Sequence, residues 1–221
     1  MKKLEKVHPQ TTKQRHFLVQ YFIIIASVIF ALLTILVKLN PILSIDLIIT
    51  RQIQVINLPG FNQLMLFLTM LGNSPEQIIL PILAALFLVV IKLKYEAVML
   101  LVSTGGIIVL SETIKRIVAR PRPDGNLIIQ VGQYLKHDSF PSGHVLFFIG
   151  FFGFLVYLIY TQLEKNWLTQ TLVTVFMLLI LLIGISRIYL GAHWFSDTLG
   201  SYLIGSVWLY LMIKLGQKLK K

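Results

Sequence analysis

Three short polar segments interrupt an otherwise apolar chain and contain the residues best suited to chemistry. The first is KRIVARPRP, beginning at Lys115; the second is PSGH, ending at His144; the third is SRIYLGAHWFSD, ending at Asp197. Together they supply cations, a hydroxyl, two imidazoles and a carboxylate, and no matching run of acids accompanies the cations. Because buried positive charge is costly unless paired, an anion is the natural ligand of such a set.

The cations and small residues in these segments predict a phosphate-binding site. The guanidinium groups of Arg122 and Arg187 suit bidentate contact with phosphate oxygens, and Lys115 adds a point charge. Ser142 offers a hydroxyl donor, and Gly143 has no side chain to block an approaching anion. Pro141 suits the start of a helix, whose free N–H groups would also face the anion.

The third segment has the spacing of an activated histidine. His193 and Asp197 are four residues apart, so on a helix they would share one face. A carboxylate that accepts one ring N–H leaves the other nitrogen free to act as a nucleophile. His144 is then available to donate a proton to a departing oxygen, because histidine as a residue type ordinarily titrates near neutral pH.

Each segment also has an ordinary interpretation when taken alone. A His-x-x-x-Asp pair can cap a helix, a Pro-Ser-Gly-His run can form a turn, and arginines among prolines can anchor a protein to lipid headgroups. We interpret Arg116 and Arg120 as such anchors, with contact to the substrate as the alternative. Glu112 is interpreted as a partner for a nearby cation, and His137 and Asp138 as part of a solvated loop. The functional interpretation requires that all three segments reach the same side of a membrane.

The composition indicates an integral membrane protein. The 221 residues are 56% hydrophobic and 13% charged, against about 25% charged residues in a soluble domain. The net charge is +11, but the basic residues lie mostly at the ends of apolar segments, which favours bilayer contact over a nucleic-acid partner. Cysteine is absent, which excludes disulfides and zinc–thiolate sites.

Hydropathy predicts an all-α, polytopic bundle of six transmembrane helices in a single domain, 1–221, with the motifs in 115–197. About 20 apolar residues cross a bilayer as a helix. The second and fourth segments fall short of this, so we expect their ends to extend. Residues 58–71 predict a half-buried helix, and 40–57 predict an interfacial segment or short helix that does not span the bilayer. The predicted spans are Phe17–Val37, Gln77–Ile91, Ala97–Ile114, Val145–Tyr160, Leu168–Ile185 and Leu199–Ile213.

The basic residues also predict the orientation of the bundle, because cytoplasmic loops are enriched in lysine and arginine. One side would hold the N-terminal arm, the loop with Lys92 and Lys94, the loop with Lys165, and the lysine-rich C-terminus. Both termini are therefore expected in the cytoplasm. The three polar segments then share the extracytoplasmic side.

The chain resembles the phosphatidic acid phosphatase type 2 superfamily, whose motifs are Lys-x6-Arg-Pro, Pro-Ser-Gly-His and Ser-Arg-x5-His-x3-Asp. All three are present in order and without a departure. They comprise Lys115 with Arg122-Pro123; Pro141-Ser142-Gly143-His144; and Ser186-Arg187 with His193 and Asp197. The first ninety residues contribute only the pattern of spans to the resemblance.

The resemblance implies a phosphohistidine mechanism without a metal or other cofactor. His193 would attack phosphorus, Asp197 would orient it, and His144 would protonate the leaving group. The phosphoryl oxygens would be bound by Lys115, Arg122, Ser142, Gly143 and Arg187.

The expected partner is a lipid phosphate that stays in the bilayer, and no obligatory protein partner is inferred. An extracytoplasmic site favours undecaprenyl pyrophosphate, with phosphatidylglycerol phosphate and phosphatidic acid as alternatives. The sequence leaves open a lipid phosphotransferase, since transfer and hydrolysis share the first step. A non-enzymatic anion-binding membrane protein is the remaining alternative.

Overall fold

The computed structural model describes residues 9–131 and 138–220, with side chains from Phe17 onward, and these ranges are helical without a β-strand. A continuous helix, Gly143–Gln162, consists of α6, a π-helical turn and α7. The helices are α1 (Pro9–Leu39), α2 (Ser44–Gln54), α3 (Phe61–Met70), α4 (Glu76–Val90), α5 (Lys94–Val118), α6 (Gly143–Phe148), the π-turn Ile149–Gly153, α7 (Phe154–Gln162), α8 (Trp167–Tyr189) and α9 (Phe195–Leu219).

Five helices in the described ranges are long and apolar enough to cross a membrane, and they match five of the six predicted spans. Their large apolar side chains are widely exposed; Phe22 is 55% and Leu32 62% accessible. Soluble monomers rarely expose apolar surface on this scale, so lipid is its natural surrounding. The chain is a multi-span membrane protein, with candidate spans Phe17–Leu39, Lys94–Val118, Gly143–Gln162, Trp167–Tyr189 and Phe195–Leu219.

The fourth predicted span extends as expected, to Gly143–Gln162. The second predicted span corresponds to α4 and does not extend, because a turn separates it from α3. The expectation that its ends extend is therefore wrong. α4 has 15 residues, a length of about 22 Å at 1.5 Å per residue, against about 30 Å for the hydrocarbon core. The turn between α3 and α4 contains Gly72 and Pro75, both poor helix formers. The count of six spans therefore stays a prediction, whereas α3 and α2 match the predicted helix over 58–71 and the short helix within 40–57.

The continuous helix Gly143–Gln162 is the centre of the bundle. Of its most apolar stretch 61% is buried, compared with 11% to 39% for the other four candidate spans. Its aromatic residues form the core: Phe147 is fully buried and stacks on Phe151 with ring centroids 5.6 Å apart. Because this helix begins at the Pro-Ser-Gly-His segment, the same packing that buries its phenylalanines also fixes the position of that segment.

α5 and α9 approach closely at Gly106. A Cβ at this position would lie 2.5 Å from the ring of Trp208. The indole is held in place because its Nε1 donates to the carbonyl of Ser103 at 2.9 Å. Glycine at position 106 thus permits the close approach of the two helices, whereas a Cβ at Gly105 would have nothing within 4 Å. Trp208 packs between α5 and α9 at this contact.

We expect Gly106→Ala to lower the thermal unfolding midpoint in detergent, because overpacking costs about 1–3 kcal/mol. Gly105→Ala is the matched control, since it makes the same change in helix propensity one residue away with no neighbour to displace. Equal midpoints for the two variants, measured by tryptophan fluorescence or light scattering, would contradict the close contact.

Candidate active site

Four helix ends meet at one end of the bundle and bring the three motifs together. α5 ends shortly after Lys115, α6 begins at Gly143, α8 ends shortly after Arg187, and α9 begins just before Asp197. A Cβ at Gly143 would lie 3.4 Å from the Lys115 ammonium, which joins the first two motifs. The backbone N–H of Ser142 donates to Oγ of α9 Ser201 at 2.7 Å, which joins the second and third.

His193 lies in the loop between α8 and α9 and is 2% exposed. Its Nε2 is 3.2 Å from Nη1 of Arg122. Because a guanidinium can only donate, this hydrogen bond requires Nε2 without a proton. The other nitrogen, Nδ1, is 3.4 Å from Oδ2 of Asp197. No hydrogen bond forms at that geometry, and bonds of this kind often tighten only when substrate binds.

His193 and Asp197 do not share a helix face, which corrects the prediction from their spacing. α9 begins at Phe195, with Trp194 as its N-cap, so His193 precedes the helix. The pair is close because Asp197 lies in the first turn and its Oδ2 accepts the backbone N–H of Trp194 at 2.9 Å. Trp194 is itself fully buried, and its indole donates to the carbonyl of Pro121.

Backbone carbonyls hold the side chain of Arg122, and a hydroxyl holds that of Arg187. Arg122 donates from Nη1 to the carbonyl of Ala192 at 2.7 Å and from Nη2 to the carbonyl of Asp138 at 3.4 Å. Arg187 is 4% exposed and donates from Nη1 to the hydroxyl of Thr69. Neutral oxygens thus help to orient both guanidiniums at the site.

Lys115 is the third cation, 8% exposed, and its ammonium is 2.8 Å from Oε1 of Glu112. This is the pairing predicted for Glu112, whose side chain is 50% exposed. Because a half-exposed carboxylate is solvent-screened, it offsets only part of the lysine charge at the site. The Lys115 ammonium therefore lies next to Gly143 of the second motif.

The Pro-Ser-Gly-His segment departs from one prediction. The first helical residue is Gly143 and Ser142 is the N-cap, so Pro141 lies before the helix and does not start it; the Phe140–Pro141 peptide bond is cis. Ser142 is fully buried, but its Oγ has no hydrogen-bond partner among the described residues.

His144 is held by the turn between α3 and α4, a contact that the sequence did not predict. Its Nε2 is 3.0 Å from Oδ1 of Asn73, in the turn between α3 and α4. A Cβ at Gly72 would lie 2.6 Å from the imidazole ring, so glycine allows the turn to pack against His144. Thr69, at the end of α3, contacts Arg187. The polar turn after an apolar segment is visible in the sequence, but its partners are 71 and 118 residues away.

Arg120 is not a headgroup anchor, which corrects the interpretation of that residue. It is 1% exposed and donates from Nη1 to Oδ1 of Asp197 at 2.5 Å and from Nη2 to Oδ2 of Asp46 at 2.6 Å. Asp197 also accepts from the hydroxyl of Ser139. Arg120 stands two residues from a motif arginine, which is a weak signal, whereas nothing in the local sequence marks Asp46 or Ser139.

The remaining polar residues near the motifs stay outside the site or outside the description. Arg116 is exposed at the end of α5, and its role as an anchor stays a prediction. Asp138 contacts Arg122 through its backbone carbonyl. His137 lies outside the described residues. Within the described ranges no group of three or more His, Cys, Asp or Glu side chains could hold a metal ion, so we identify no candidate ligand set there.

Three buried donors around the cations favour an anionic ligand. In the described part of the chain, Oγ of Ser111, Oγ of Ser142 and Nε of Arg187 make no hydrogen bond. Buried polar groups are paired in more than 90% of cases, so donors of this kind next to three cations are suited to acceptor oxygens. Burial also lowers the pKa of His193, and Arg122, Arg187 and Lys115 lower it further. The imidazole is therefore neutral at neutral pH.

Helical spans and a cluster of cations at one end of the bundle define a polytopic membrane protein with a cation-lined site. A family model described as the PAP2 superfamily matches residues 96–221, more than half of the chain. The chain belongs to the PAP2 superfamily, as its motifs indicate.

Relatives and solved structures extend the similarity to most of the chain. Phosphatidylglycerophosphatase B of Bacillus subtilis strain 168 is 25% identical over 87% of this chain and 93% of that protein. An undecaprenyl-diphosphatase of Sulfolobus acidocaldarius is 27% identical over 89% and 92%. The fold is similar to the crystal structure of a transmembrane PAP2-type phosphatidylglycerolphosphate phosphatase from Bacillus subtilis, with TM-score 0.77, 23% identity and coverage of 90% and 97%. For LpxE of Aquifex aeolicus the values are 0.60, 21%, 79% and 98%.

The lowered pKa of His193 predicts the acidic limb of the pH profile. The neutral ring is the nucleophilic form, so phosphate release should persist below the usual histidine pKa of about 6.5. In Arg122→Gln, the loss of a neighbouring positive charge raises the pKa of His193, and the acidic limb of kcat/KM should move to higher pH. Titration of the substrate is the same for both enzymes. A limb that does not move would therefore show that another group controls it.

Proposed function

We propose that the protein is a membrane lipid phosphatase that acts through a phosphohistidine on His193. The observation that carries the proposal is the contact between Nε2 of His193 and the Arg122 guanidinium. It directs an unprotonated nucleophile to a cluster of cations in a buried site. Phosphoryl transfer depends mainly on positioning and charge stabilisation, which this arrangement supplies.

In the first step, two oxygens of the substrate's phosphate or pyrophosphate group replace His193 as the partner of Arg122. Arg187 and Lys115 bind the remaining phosphoryl oxygens, with the hydroxyl of Ser142 and the open backbone at Gly143. Nε2 of His193 forms a bond to phosphorus as the phosphorus–oxygen bond of the leaving group breaks. The ring becomes positively charged, and the carboxylate of Asp197 stabilises it through the N–H on Nδ1.

His144 serves as acid and then as base. Its proton goes to the departing oxygen, so the lipid leaves as an alcohol or a monophosphate. A water molecule then attacks phosphorus and gives its proton to His144, the bond to Nε2 breaks, and inorganic phosphate is released. Asn73 holds the imidazole at 3.0 Å, which supports this double use because one geometry serves both transfers.

The proposed substrate is a lipid phosphate, with undecaprenyl pyrophosphate first and phosphatidylglycerol phosphate or phosphatidic acid as alternatives. The site lies where four helices end, so a phosphate could reach it while its hydrocarbon chain remains in the bilayer. The names of the two relatives support a lipid phosphate. We further propose a single membrane domain over 1–221, cytoplasmic termini, an extracytoplasmic site, and catalysis without a metal.

Purified protein should release inorganic phosphate from at least one lipid in a panel that includes undecaprenyl pyrophosphate, phosphatidylglycerol phosphate and phosphatidic acid. EDTA should leave the rate unchanged, and restoration of a lost rate by Mg²⁺ would contradict the metal-free mechanism. His193→Ala should abolish turnover, and His144→Ala should lower it about 10²-fold or more. Near-wild-type activity in either variant would remove its assigned role. A labelled second lipid in place of free phosphate would identify a transferase.

A reporter fused after Lys221 tests the orientation. We expect alkaline phosphatase to be inactive and a fluorescent protein to be bright at this position, because the basic residues favour a cytoplasmic C-terminus. The opposite pattern would place the site on the cytoplasmic side and would weaken the choice of undecaprenyl pyrophosphate.

A further inference from the structure

We propose that Arg120 and Asp46 are positioning residues for the reaction: they hold Asp197 in place and determine how much of its negative charge acts on His193. The inference rests on the proposed phosphohistidine function. Neither residue is one of the motif positions, and Asp46 comes from α2, in a part of the chain where the motif resemblance is absent.

The first observation is that Arg120 is buried and connected on all sides. Besides the two carboxylates, its Nε donates to the carbonyl of Pro41 at 2.8 Å and its Nη1 to Oγ of Ser196 at 2.7 Å. The guanidinium side chain has no exposed surface, and neither do the side chains of its two carboxylate partners. Buried ion pairs are costly to desolvate, and they are tolerated when further hydrogen bonds satisfy every group.

The second observation is that Asp46 connects α2 with the start of α9. Its Oδ1 accepts the backbone N–H of Ser196 and its Oδ2 accepts the hydroxyl of Ser196, both at 2.8 Å. Ser196 is next to Asp197 in the chain. Asp46 therefore connects α2 with the first turn of α9, and Arg120 bridges the carboxylates of Asp46 and Asp197.

The third observation is that Asp197 has no freedom to turn. Oδ1 is bound by Arg120, and Oδ2 accepts from the Ser139 hydroxyl and the Trp194 backbone N–H. Oδ2 is the oxygen that lies 3.4 Å from Nδ1 of His193. Orienting groups of this kind matter in catalysis because a small misplacement of a reacting side chain carries a large loss of rate.

The charges explain why a second carboxylate is present. If Arg120 were paired with Asp197 alone, the two would form a neutral pair, and little negative charge would remain for the imidazole. Asp46 shares the guanidinium, so the buried group of one cation and two anions keeps one net negative charge. That charge faces His193, which becomes positive when its Nε2 bonds to phosphorus. Inside a protein such interactions are screened far less than at the surface.

The inference predicts a loss in kcat that leaves substrate binding in place. Asp46→Asn keeps the shape and the acceptor oxygen and removes the charge. We expect kcat and the single-turnover rate of phosphoenzyme formation to fall roughly 10-fold, the lower range for residues that support a functional histidine, with KM within about 2-fold of wild type. Asp46→Glu restores the charge and should recover several-fold of the lost kcat. Wild-type kcat in Asp46→Asn, or no recovery in Asp46→Glu, would overturn the inference.

Asp124→Asn is the matched control, because it makes the same substitution at an exposed carboxylate that accepts a hydrogen bond from the backbone N–H of Asn126; its kcat should equal that of wild type. If Asp46→Asn does not fold, Ser196→Ala decides, since it removes one hydrogen bond from each of Arg120 and Asp46 and leaves all charges in place. A several-fold loss in kcat alone supports the inference, and wild-type kcat overturns it.

The same assay separates the two proposals. Wild-type protein and His193→Ala are measured beside the Asp46 variants on the panel of lipid phosphates. If wild type releases no phosphate, the proposed function fails and the positioning role fails with it. If wild type is active, His193→Ala is inactive and Asp46→Asn equals wild type, the phosphatase stands and only the positioning role is wrong.

Discussion

The buried ion pair between Arg120 and Asp197 joins the parts of the site that come from distant parts of the chain. Arg120 follows α5, Asp197 opens α9, and Asp46 brings in α2. The pair must have several further hydrogen bonds, because desolvating charges in a buried site is costly. Those bonds go to backbone and hydroxyl groups of the surrounding helices. The requirement to satisfy one buried guanidinium therefore orders the whole end of the bundle around His193.

Close to this ion pair lies a cluster of positively charged side chains. Lys115, Arg122 and Arg187 converge, and two of them are directed by neutral oxygens of Ala192 and Thr69. Like charges held in a buried site repel one another, so such a cluster is stable only if the fold enforces it. A bound phosphate would remove this repulsion. Burial lowers the pKa of His193, and the neighbouring cations lower it further, so the imidazole stays neutral.

The hydropathy pattern predicted the helices better than it predicted the junctions between them. Five spans were found from apolar length alone, since a bilayer requires about 20 such residues. The second predicted span was expected to extend, but a turn separates α3 from α4. Apolar length does not reveal this turn, in which Gly72 packs against His144. His193 and Asp197 were assigned to one helix by their spacing, yet the helix begins between them. Helix starts depend on which backbone groups are capped, and a four-residue spacing does not specify this.

By itself, the sequence determined the class of protein, the approximate spans and the set of residues in the three motifs, because hydropathy and residue chemistry are local properties. The tertiary structure decided the partners of those residues. Arg120 was interpreted as a surface anchor, nothing in the local sequence marked Asp46, and the polar turn that contains Asn73 did not reveal its partner. Their contacts join positions more than 70 residues apart. Whether a charged side chain is solvated or buried and paired depends on such contacts, which only the folded helices bring together.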